Sequence, residues 1–517
     1  MGRYLKIYFW QVVSLIFNLA SVFVVTPFIS SNQALYGIYS IAIAAFLFLS
    51  YADLGFLSAG MKYSAESYAK GDRESEVKTL GFAGMVFMTF VAVYSAVMLY
   101  FSFTPTMLIP NLKAGEEIII AQRLLLILAI FAPALVLQRI VQIIFGIRLQ
   151  DYKFQRILII FNVLKVTSAF YFFGNGHYSI IGYFLFSQFC TLLAAVIGLY
   201  KAKKELDYDI KGLFRSFRFS RDLYKKTSKL AFSSLFLTFC WILYYELDPF
   251  VIGRIMGADL VAVYAIGLTV LTYFRSLFGI LFTPFIARFN HFIGLQDNKG
   301  LQEILVKILA LFIPVTMFPV IAISITSRNF VYTWVGETYS ASVEIMQVLL
   351  LCYVFSFITY PGGILLMARE RVKTMYITSG IQPLVYWTGI FLTFQFLGLA
   401  AFAWFKLLAF AVSATIYCIS IRRFLQTSWK DFIIKILLPA VPPVGLLAAI
   451  CLFLRKYLPL SHTKLSFITY ITIIVFVILL ATACYYITSN IFRQFVNQMA
   501  GTLSNRIKNM KLGKLEK

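Results

Sequence analysis

The sequence contains little charge, little histidine and no paired-cysteine motif, and each shortage excludes a class of protein. Charged residues make up 13% of the 517 residues, about half the share of an ordinary soluble domain. The three histidines, His177, His291 and His462, stand far apart, which argues against a metal site. All six cysteines fall inside apolar runs without a CxxC pair, which is typical of small buried hydrophobic residues.

Motifs for catalysis and for cofactors are lacking as well. No Ser-His-Asp set and no Gly-rich phosphate loop stands out. We therefore expect a protein that is not an enzyme and carries no cofactor and no metal. A membrane glycosyl polymerase or ligase stays as an alternative, but it would be expected to carry a substantial external loop, and the loops predicted outside are all short.

Long apolar runs dominate the sequence instead. Hydrophobic residues account for 60% of the chain and aromatic residues for 17%. A helix of about 20 apolar residues crosses a bilayer, and runs of that length recur from end to end. About fourteen spans are predicted: 7–29, 37–60, 79–104, 122–145, 157–176, 179–200, 230–251, 260–286, 303–326, 342–367, 376–396, 399–421, 433–454 and 466–488.

The distribution of Lys and Arg predicts the orientation in the membrane. Ten cations lie between Lys201 and Lys229, and the other cation-rich loops and the tail fall on the same side of the predicted spans. The opposite loops hold few cations: Lys113, Arg254, Arg328, Arg455, Lys456 and Lys464. The positive-inside rule therefore predicts a multi-pass protein of the inner (plasma) membrane with both termini in the cytoplasm. Because the formal net charge of +24 follows this loop pattern, we do not expect nucleic acid as a partner.

The longest basic loop divides the chain into two related halves. Pro27-Phe28-Ile29, Tyr39 and Lys62 in the first half have counterparts Pro249-Phe250-Val251, Tyr264 and Arg288 in the second. The predicted fold class is an all-α polytopic membrane protein with two pseudo-symmetric six-helix lobes plus two C-terminal helices, an architecture of transporters. The predicted parts are an N-terminal lobe 1–200, a cytoplasmic amphipathic linker 201–229, a C-terminal lobe 230–421, two additional helices 422–488 and a basic cytoplasmic tail 489–517.

The linker alternates aromatic residues with cations. Phe214, Phe217 and Tyr224 stand among Arg215 and Arg218, which predicts a basic amphipathic helix lying in the membrane interface. Anchoring at the inner leaflet is favoured over a docking site for a protein partner.

Charged residues within the spans are mostly cations. A charge inside a membrane is costly, so it faces a cavity or a partner. Arginine and lysine suit an anionic substrate, phosphate above all. The candidate substrate-binding cations are Arg139, Lys165, Arg275 and Lys406, and the candidate gate or coupling residues are Asp53, Glu246 and Asp248. The alternative for each is a structural pair, such as Asp53 with Arg139 or Glu246 with Lys406.

Polar side chains follow one face of several predicted spans. They occur at helical spacing in the first span and near the cations of the fourth and fifth spans. We predict that they line an aqueous cavity, with hydrogen bonding between helices as the alternative. The candidates are Gln11, Asn18, Gln138, Gln142 and Asn162.

Short motifs in both halves resemble the polysaccharide-transport and O-antigen flippase branch of the multidrug/oligosaccharidyl-lipid/polysaccharide exporter superfamily. They are Tyr36-Gly37-Ile38-Tyr39, Tyr51 to Gly55 with Lys62, Asp248 to Gly253, Tyr264-Ala-Ile and Thr283 to Arg288. The resemblance implies a two-lobed flippase that works by alternating access and serves cell-surface polysaccharide biosynthesis.

The resemblance also implies a substrate and its site. The substrate would be a polyprenyl-diphosphate-linked oligosaccharide in the lipid bilayer, with its diphosphate in a central cavity near Arg139, Lys165 and Arg275. Polysaccharide polymerases or assembly proteins would be partners. Because many O-antigen flippases have twelve spans, the two further spans leave O-antigen, capsule, exopolysaccharide, teichuronic-type and peptidoglycan-precursor substrates open.

A multidrug exporter of the same superfamily is the nearest alternative. Exporters of organic cations would be expected to bury acidic residues within the lobes, whereas the candidates here are mostly basic. A major-facilitator sugar carrier is disfavoured because the loop 61–78 lacks the expected Gly-Asp-Arg-Gly-Arg-like signature.

Overall fold

The structure, a computed structural model, describes residues 3–49, 55–113, 115–174, 176–498 and Gly501. Within these ranges the chain forms helices joined by short connections, and no β-strand occurs. The prediction of an all-α membrane protein is confirmed. Asp53 and most of the basic tail lie outside the described residues.

The chain divides into two compact units, Met1–Ile266 and Gly267–Lys517. The first contains α1 (Arg3–Ile29), α2 (Gln33–Leu49), α3 (Phe56–Ala69), α4 (Arg73–Phe103), α5 (Glu116–Ile147), α6 (Asp151–Phe173), α7 (Ile180–Leu206), α8 (Ile210–Arg215), α9 (Arg221–Tyr245), α10 (Asp248–Met256) and the start of α11 (Ala258–Gly294). The second contains α12 (Asn298–Phe312), α13 (Phe318–Ile325), α14 (Ser327–Trp334), α15 (Ser342–Leu351), α16 (Ser356–Ala368), α17 (Val372–Leu397), α18 (Leu399–Leu425), α19 (Trp429–Phe432), α20 (Val441–Leu454) and α21 (Lys464–Thr488). The finer lobe boundaries of the sequence analysis stay predictions.

Eleven or twelve of the fourteen predicted spans coincide with helices of the described chain that could cross a bilayer. Eleven segments of the described chain are long and apolar enough to cross a bilayer. A twelfth is α9, whose two halves Arg221–Phe232 and Ser234–Tyr245 meet at a bend of 47°. The predicted span 376–396 lies within the 26-residue helix α17. The predicted span 37–60 overlaps the shorter apolar helix α2 only from residue 37 to residue 49, and residues 50–54 lie outside the described ranges.

Helix α5 is central to the first unit. It packs against α2, α4 and α7, and the side chains along its inward faces from Leu124 to Ile144 are buried. Phe145 near its end stacks on Phe154 of α6, with ring centroids 6.2 Å apart. This packing fixes α5, α6 and α7 as a rigid wall on which polar side chains can be held.

The last two helices belong to the second unit. Helices α20 and α21 pack on α13 and α14. The hydroxyls of Thr326 and Tyr470 are 2.7 Å apart, and Asn329 Nδ2 donates to the backbone oxygens of Arg455 (3.2 Å) and Leu458 (3.1 Å). Asn329 thus caps the end of α20, where backbone carbonyls lack helical partners.

Candidate functional site

A polar cavity of about 240 Å³ lies inside the first unit. Helices α1, α5, α6 and α7 enclose it, and α6 contributes the largest share of its wall. The lining residues are Ser14, Asn18, Gln138, Gln155, Leu158, Phe161, Asn162, Lys165, Cys190, Thr191 and Ala194.

Helical spacing explains why these side chains converge. On α6, Gln155, Leu158, Asn162 and Lys165 recur every three or four residues, so they share one face of the helix. Ser14 and Asn18 stand one turn apart on α1 in the same way. The polar stripes of α1 and α6 therefore face each other across the cavity.

Lys165 is the cation of this cavity. Its ammonium donates a hydrogen bond of 3.0 Å to Thr191 Oγ1, and that hydroxyl in turn donates to the backbone oxygen of Ser187 at 3.0 Å. No acidic side chain of the described chain lines the cavity or forms an ion pair with Lys165. A neutral hydroxyl compensates only part of the cost of placing a positive charge in a medium of low dielectric constant.

Two asparagines join the facing helices. Asn162 Nδ2 donates to Asn18 Oδ1 at 2.6 Å, a bond between α6 and α1. Both predicted uses of these polar residues are therefore present, because the same side chains line the cavity and hydrogen-bond between helices. Asn162, Asn18 and Gln138 add amide donors and acceptors beside the Lys165 ammonium.

Other predicted residues of the first unit lie elsewhere. Arg139 is partly buried and donates to Gln142 Oε1 at 3.5 Å, one turn along α5, and neither side chain lines the cavity. Gln11 is partly buried on α1 and is not part of the wall. Gln138, the neighbour of Arg139, does line the cavity. Adjacent residues of a helix point about 100° apart, so Arg139 points away from the cavity when Gln138 points into it.

The remaining two cations belong to the second unit. Arg275 on α11 is partly buried, and its backbone oxygen accepts from the hydroxyl of Tyr360 at 3.0 Å. Lys406 on α18 is 1% exposed, and its Nζ lies 5.0 Å from the ring centroid of Tyr386. A cation over an aromatic face is stabilised electrostatically, so Lys406 is accommodated within the packing of its own unit.

The acidic candidates Glu246 and Asp248 are buried near the start of α10. Asp248 Oδ2 accepts a hydrogen bond of 2.6 Å from the hydroxyl of Tyr264 on α11. Asp53, the third candidate, lies outside the described residues. Among the described residues no group of three or more His, Cys, Asp or Glu side chains is placed to hold a metal ion.

The structure also reveals a buried ion-pair cluster that the sequence analysis did not anticipate. Arg148 at the end of α5 makes two bonds to Glu76 of α4, Nη1 to Oε1 at 2.8 Å and Nη2 to Oε2 at 3.1 Å. The Arg148 guanidinium lies 4.6 Å from the ring centroid of Tyr68 and 5.1 Å from that of Tyr208. Exposed Arg73 adds a third bond to Glu76 at 3.1 Å. This cluster ties together α3, α4, α5 and the segment after α7.

Two lining residues, Gln155 and Thr191, were missed as well. Gln155 lies two turns before Asn162 on α6, and that spacing would have identified it. Thr191 has no such signal, since a single hydroxyl in an apolar span most often bonds to its own helix. Its contact with Lys165 depends on how α6 and α7 pack.

Solved structures show which class of protein has this fold. The chain resembles a lipid II flippase, MurJ, in an inward closed conformation, with 16% identity, a TM-score of 0.65, and coverage of 94% of this chain and 98% of that one. It resembles a multidrug resistance MATE family transporter of the MOP superfamily in an inward-facing conformation, with 14% identity and a TM-score of 0.59. That match covers 80% of this chain and 96% of the transporter. It also resembles a MOP superfamily transporter from Pyrococcus furiosus, with 15% identity, a TM-score of 0.54, and coverage of 82% of this chain and 95% of that one.

The chain therefore has the fold of the multidrug/oligosaccharidyl-lipid/polysaccharide exporter superfamily, as the sequence motifs predicted. No protein-family profile matches the sequence, and no curated protein matches it significantly. At these identities the likeness shows the fold of a multi-pass membrane transporter.

Proposed function

We propose that this protein is a flippase that moves a polyprenyl-diphosphate-linked oligosaccharide from the inner to the outer leaflet of the plasma membrane. The observation that carries the proposal is the polar cavity of the first unit, where Lys165 is surrounded by amides and hydroxyls. A diphosphate offers many acceptor oxygens and negative charge, and it matches a wall of one ammonium and several amide donors.

The electrostatic balance supports an anionic ligand. Lys165 has a hydroxyl partner, and among the described residues of the wall no carboxylate neutralises it. An anion entering the cavity would form an ion pair with the Lys165 ammonium, and ion pairs are strong in a medium of low dielectric constant. An organic cation would meet repulsion at the same place.

The extent of the structural likeness also favours a lipid-linked substrate. The MurJ lipid II flippase covers 94% of this chain, whereas the MATE transporter covers 80%. The share left uncovered by the MATE structure is comparable in length to the segment 422–517, which includes α20 and α21. A lipid flippase thus accounts for more of this chain than a drug exporter of the same fold.

The mechanism that we propose is alternating access. The diphosphate and sugar enter from the cytoplasmic side while the prenyl tail stays in lipid, and binding shifts the equilibrium between inward-open and outward-open states. Lys165 binds the diphosphate, Arg139 and Arg275 are further candidate ligands, and Asp53, Glu246 and Asp248 are candidates for gating or coupling. The Lys and Arg distribution supports an orientation with both termini in the cytoplasm.

A multidrug exporter is the second candidate. The buried carboxylates Glu246 and Asp248 favour it, because exporters of organic cations are expected to use buried acids. The two candidates therefore differ in which residues of the first unit contact the ligand.

Native mass spectrometry of the purified protein tests the two against each other. The protein is offered a polyprenyl-diphosphate sugar and tetraphenylphosphonium at equal concentration. We expect retention of the lipid, and a loss of about tenfold in Lys165→Gln, because a hydrogen bond to a charged group contributes about 1.5–3 kcal/mol. Lys435→Gln is the matched control, since Lys435 is exposed near the end of its span. Retention of the phosphonium alone, with loss in Glu246→Gln, would establish the drug exporter instead.

A further inference from the structure

The segment between α7 and α9 is held against α4 rather than extending freely. Leu213 of α8 is buried, and Ser216 and Phe217 approach two glycines of α4. A Cβ added to Gly81 would lie 2.5 Å from Ser216 Cβ, and one added to Gly84 would lie 2.9 Å from the ring of Phe217. The glycines permit this approach, so the segment has a fixed position on the first unit.

The start of α9 is fixed by aromatic contacts. Tyr224 stacks on Phe56 with ring centroids 6.2 Å apart, and Phe219 lies 6.2 Å from Phe82. Lys226 Nζ lies 4.9 Å from the ring centroid of Tyr63 on α3. Helices α3 and α4 of the first unit therefore hold the inner side of this segment.

The outer side of the segment is basic and partly apolar. We call six of its exposed cations the basic rim, leaving out Lys226, which contacts Tyr63: Lys211, Arg215, Arg218, Arg221, Lys225 and Lys229. Between them the rings of Phe214 and Phe219 are 47% and 65% exposed. Three carboxylates share the surface, Asp207, Asp209 and Asp222. Asp209 accepts a bond of 2.8 Å from the Gly212 amide as the cap of α8.

The flanking helices place the basic rim at a bilayer surface. The candidate span Ile180–Leu206 ends just before it, and α9, which begins at Arg221, continues as a bent candidate span. A short segment that joins two candidate membrane-crossing helices lies close to the headgroup region. Exposed rings with cations beside them are the pattern of surfaces that insert at the acyl boundary and contact anionic headgroups.

We propose that the basic rim is a binding surface for anionic phospholipids of the bilayer. The cations contact the headgroup phosphates, while Phe214 and Phe219 insert between the acyl chains. Because the rim is fixed on α3 and α4, anionic lipid bound there holds the first unit at a set depth in the membrane. This proposal does not depend on which substrate the protein transports.

The test compares lipid retention by the full-length protein with and without the rim arginines. Native mass spectrometry measures binding of phosphatidylglycerol and of phosphatidylcholine to wild type and to the triple variant Arg215→Gln, Arg218→Gln, Arg221→Gln. We expect wild type to retain phosphatidylglycerol in preference to phosphatidylcholine. The affinity of the triple variant for phosphatidylglycerol should be lower by about tenfold or more, because each surface cation attracts anionic lipid.

A control with the same charge change lies in the second unit. Arg328→Gln, Arg455→Gln, Lys456→Gln alters three exposed cations predicted on the opposite side of the membrane, and it should keep phosphatidylglycerol binding. Circular dichroism should show unchanged helix content, because all six side chains are exposed. Equal retention by both variants, or equal retention of the two lipids by wild type, overturns the proposal. Loss of a polyprenyl-diphosphate sugar without loss of phosphatidylglycerol overturns it too, and would make the rim a substrate site.

Discussion

Two cations of the first unit, Arg148 and Lys165, are enclosed by helices but held in different ways. Arg148 meets both carboxylate oxygens of Glu76 and lies beside two tyrosine rings. Lys165 meets one threonine hydroxyl, and the rest of its surroundings are amides, hydroxyls and a cavity. Arg148 has its charge neutralised within the protein, whereas the described neighbours of Lys165 are neutral.

We interpret the difference as one between a structural charge and a candidate ligand-binding charge. A bidentate arginine–carboxylate pair fixes the helices that carry it and has no capacity left for a ligand. A lysine with a neutral partner keeps that capacity, at a cost in stability. Removing the charge partner of Arg148 should therefore lower the stability of the protein, whereas removing the charge of Lys165 should not.

The largest effect is expected at Glu76. Glu76→Ala leaves the Arg148 guanidinium buried without its carboxylate, and breaking such a pair costs about 3–5 kcal/mol. Thermal unfolding of the purified protein in detergent should shift to a clearly lower temperature. Glu74→Ala is the control, because Glu74 is exposed and pairs with Lys78 at the surface, where an ion pair contributes at most about 1 kcal/mol. Equal shifts in the two variants would show that the buried cluster is not structural.

A smaller effect of opposite sign is expected at Lys165. Lys165→Met removes a charge that a neutral hydroxyl only partly compensates, so the free energy of unfolding should stay the same or rise by about 1 kcal/mol. Transfer of a labelled polyprenyl-diphosphate sugar across proteoliposomes should fall about tenfold or more. A variant that lost stability together with transport would place Lys165 with Arg148 among the structural charges.

The asparagine pair beside Lys165 should contribute less. Hydrogen bonds between membrane helices average about 0.6 kcal/mol in double-mutant cycles. We expect a coupling of about that size from unfolding of Asn18→Ala, Asn162→Ala and the double variant. No coupling would mean that the 2.6 Å contact between α1 and α6 does not stabilise the cavity wall.

The smallest effect concerns pH near the Glu76 cluster. Asp72 caps α4 by accepting from the Ser75 amide at 2.9 Å, and its hydrogen bonds to Ser75 hold the pKa of its carboxyl below the usual value of 3.8. The stabilisation by the ionised cap is therefore complete above pH 3.8 and is lost as pH falls through the lower folded pKa. Protection from hydrogen exchange at the start of α4, expressed relative to the unfolded chain at the same pH, should be the same at pH 7 and pH 5. Asp72→Ala should lose protection at both pH values, whereas Asp72→Asn, also a good cap, should keep most of it.

The sequence predicted the helices well because their signal is one of length. A run of apolar residues long enough to cross a bilayer has few alternatives to a helix, so α1 and α21 were predictable within four residues. Helices α4 and α5 begin six residues before the predicted spans, because their first turns are charged. The same periodicity indicated that Asn18, Asn162 and Lys165 face one space, and the structure does bring them together.

The pairing of charges could not be predicted in the same way. Glu76 and Arg148 are 72 residues apart and both lie next to cation-rich loops, so their charges were indistinguishable from solvated ones. Arg139 and Gln138 are neighbours in the sequence, yet only Gln138 reaches the cavity. Such outcomes depend on the rotation and packing of α5 against α4 and α7, which no local pattern encodes.

Cys190 gives the cavity a chemical reporter of its own. Its thiol lines the wall beside Thr191, and the residue is buried at 2% exposure. Methanethiosulfonate reagents modify thiols that water can reach, so the rate at which they label Cys190 measures how often the cavity opens. A charged reagent applied to one side of sealed vesicles would then tell which leaflet the opening faces. The native cysteine would thus report the opening of the cavity without an engineered label.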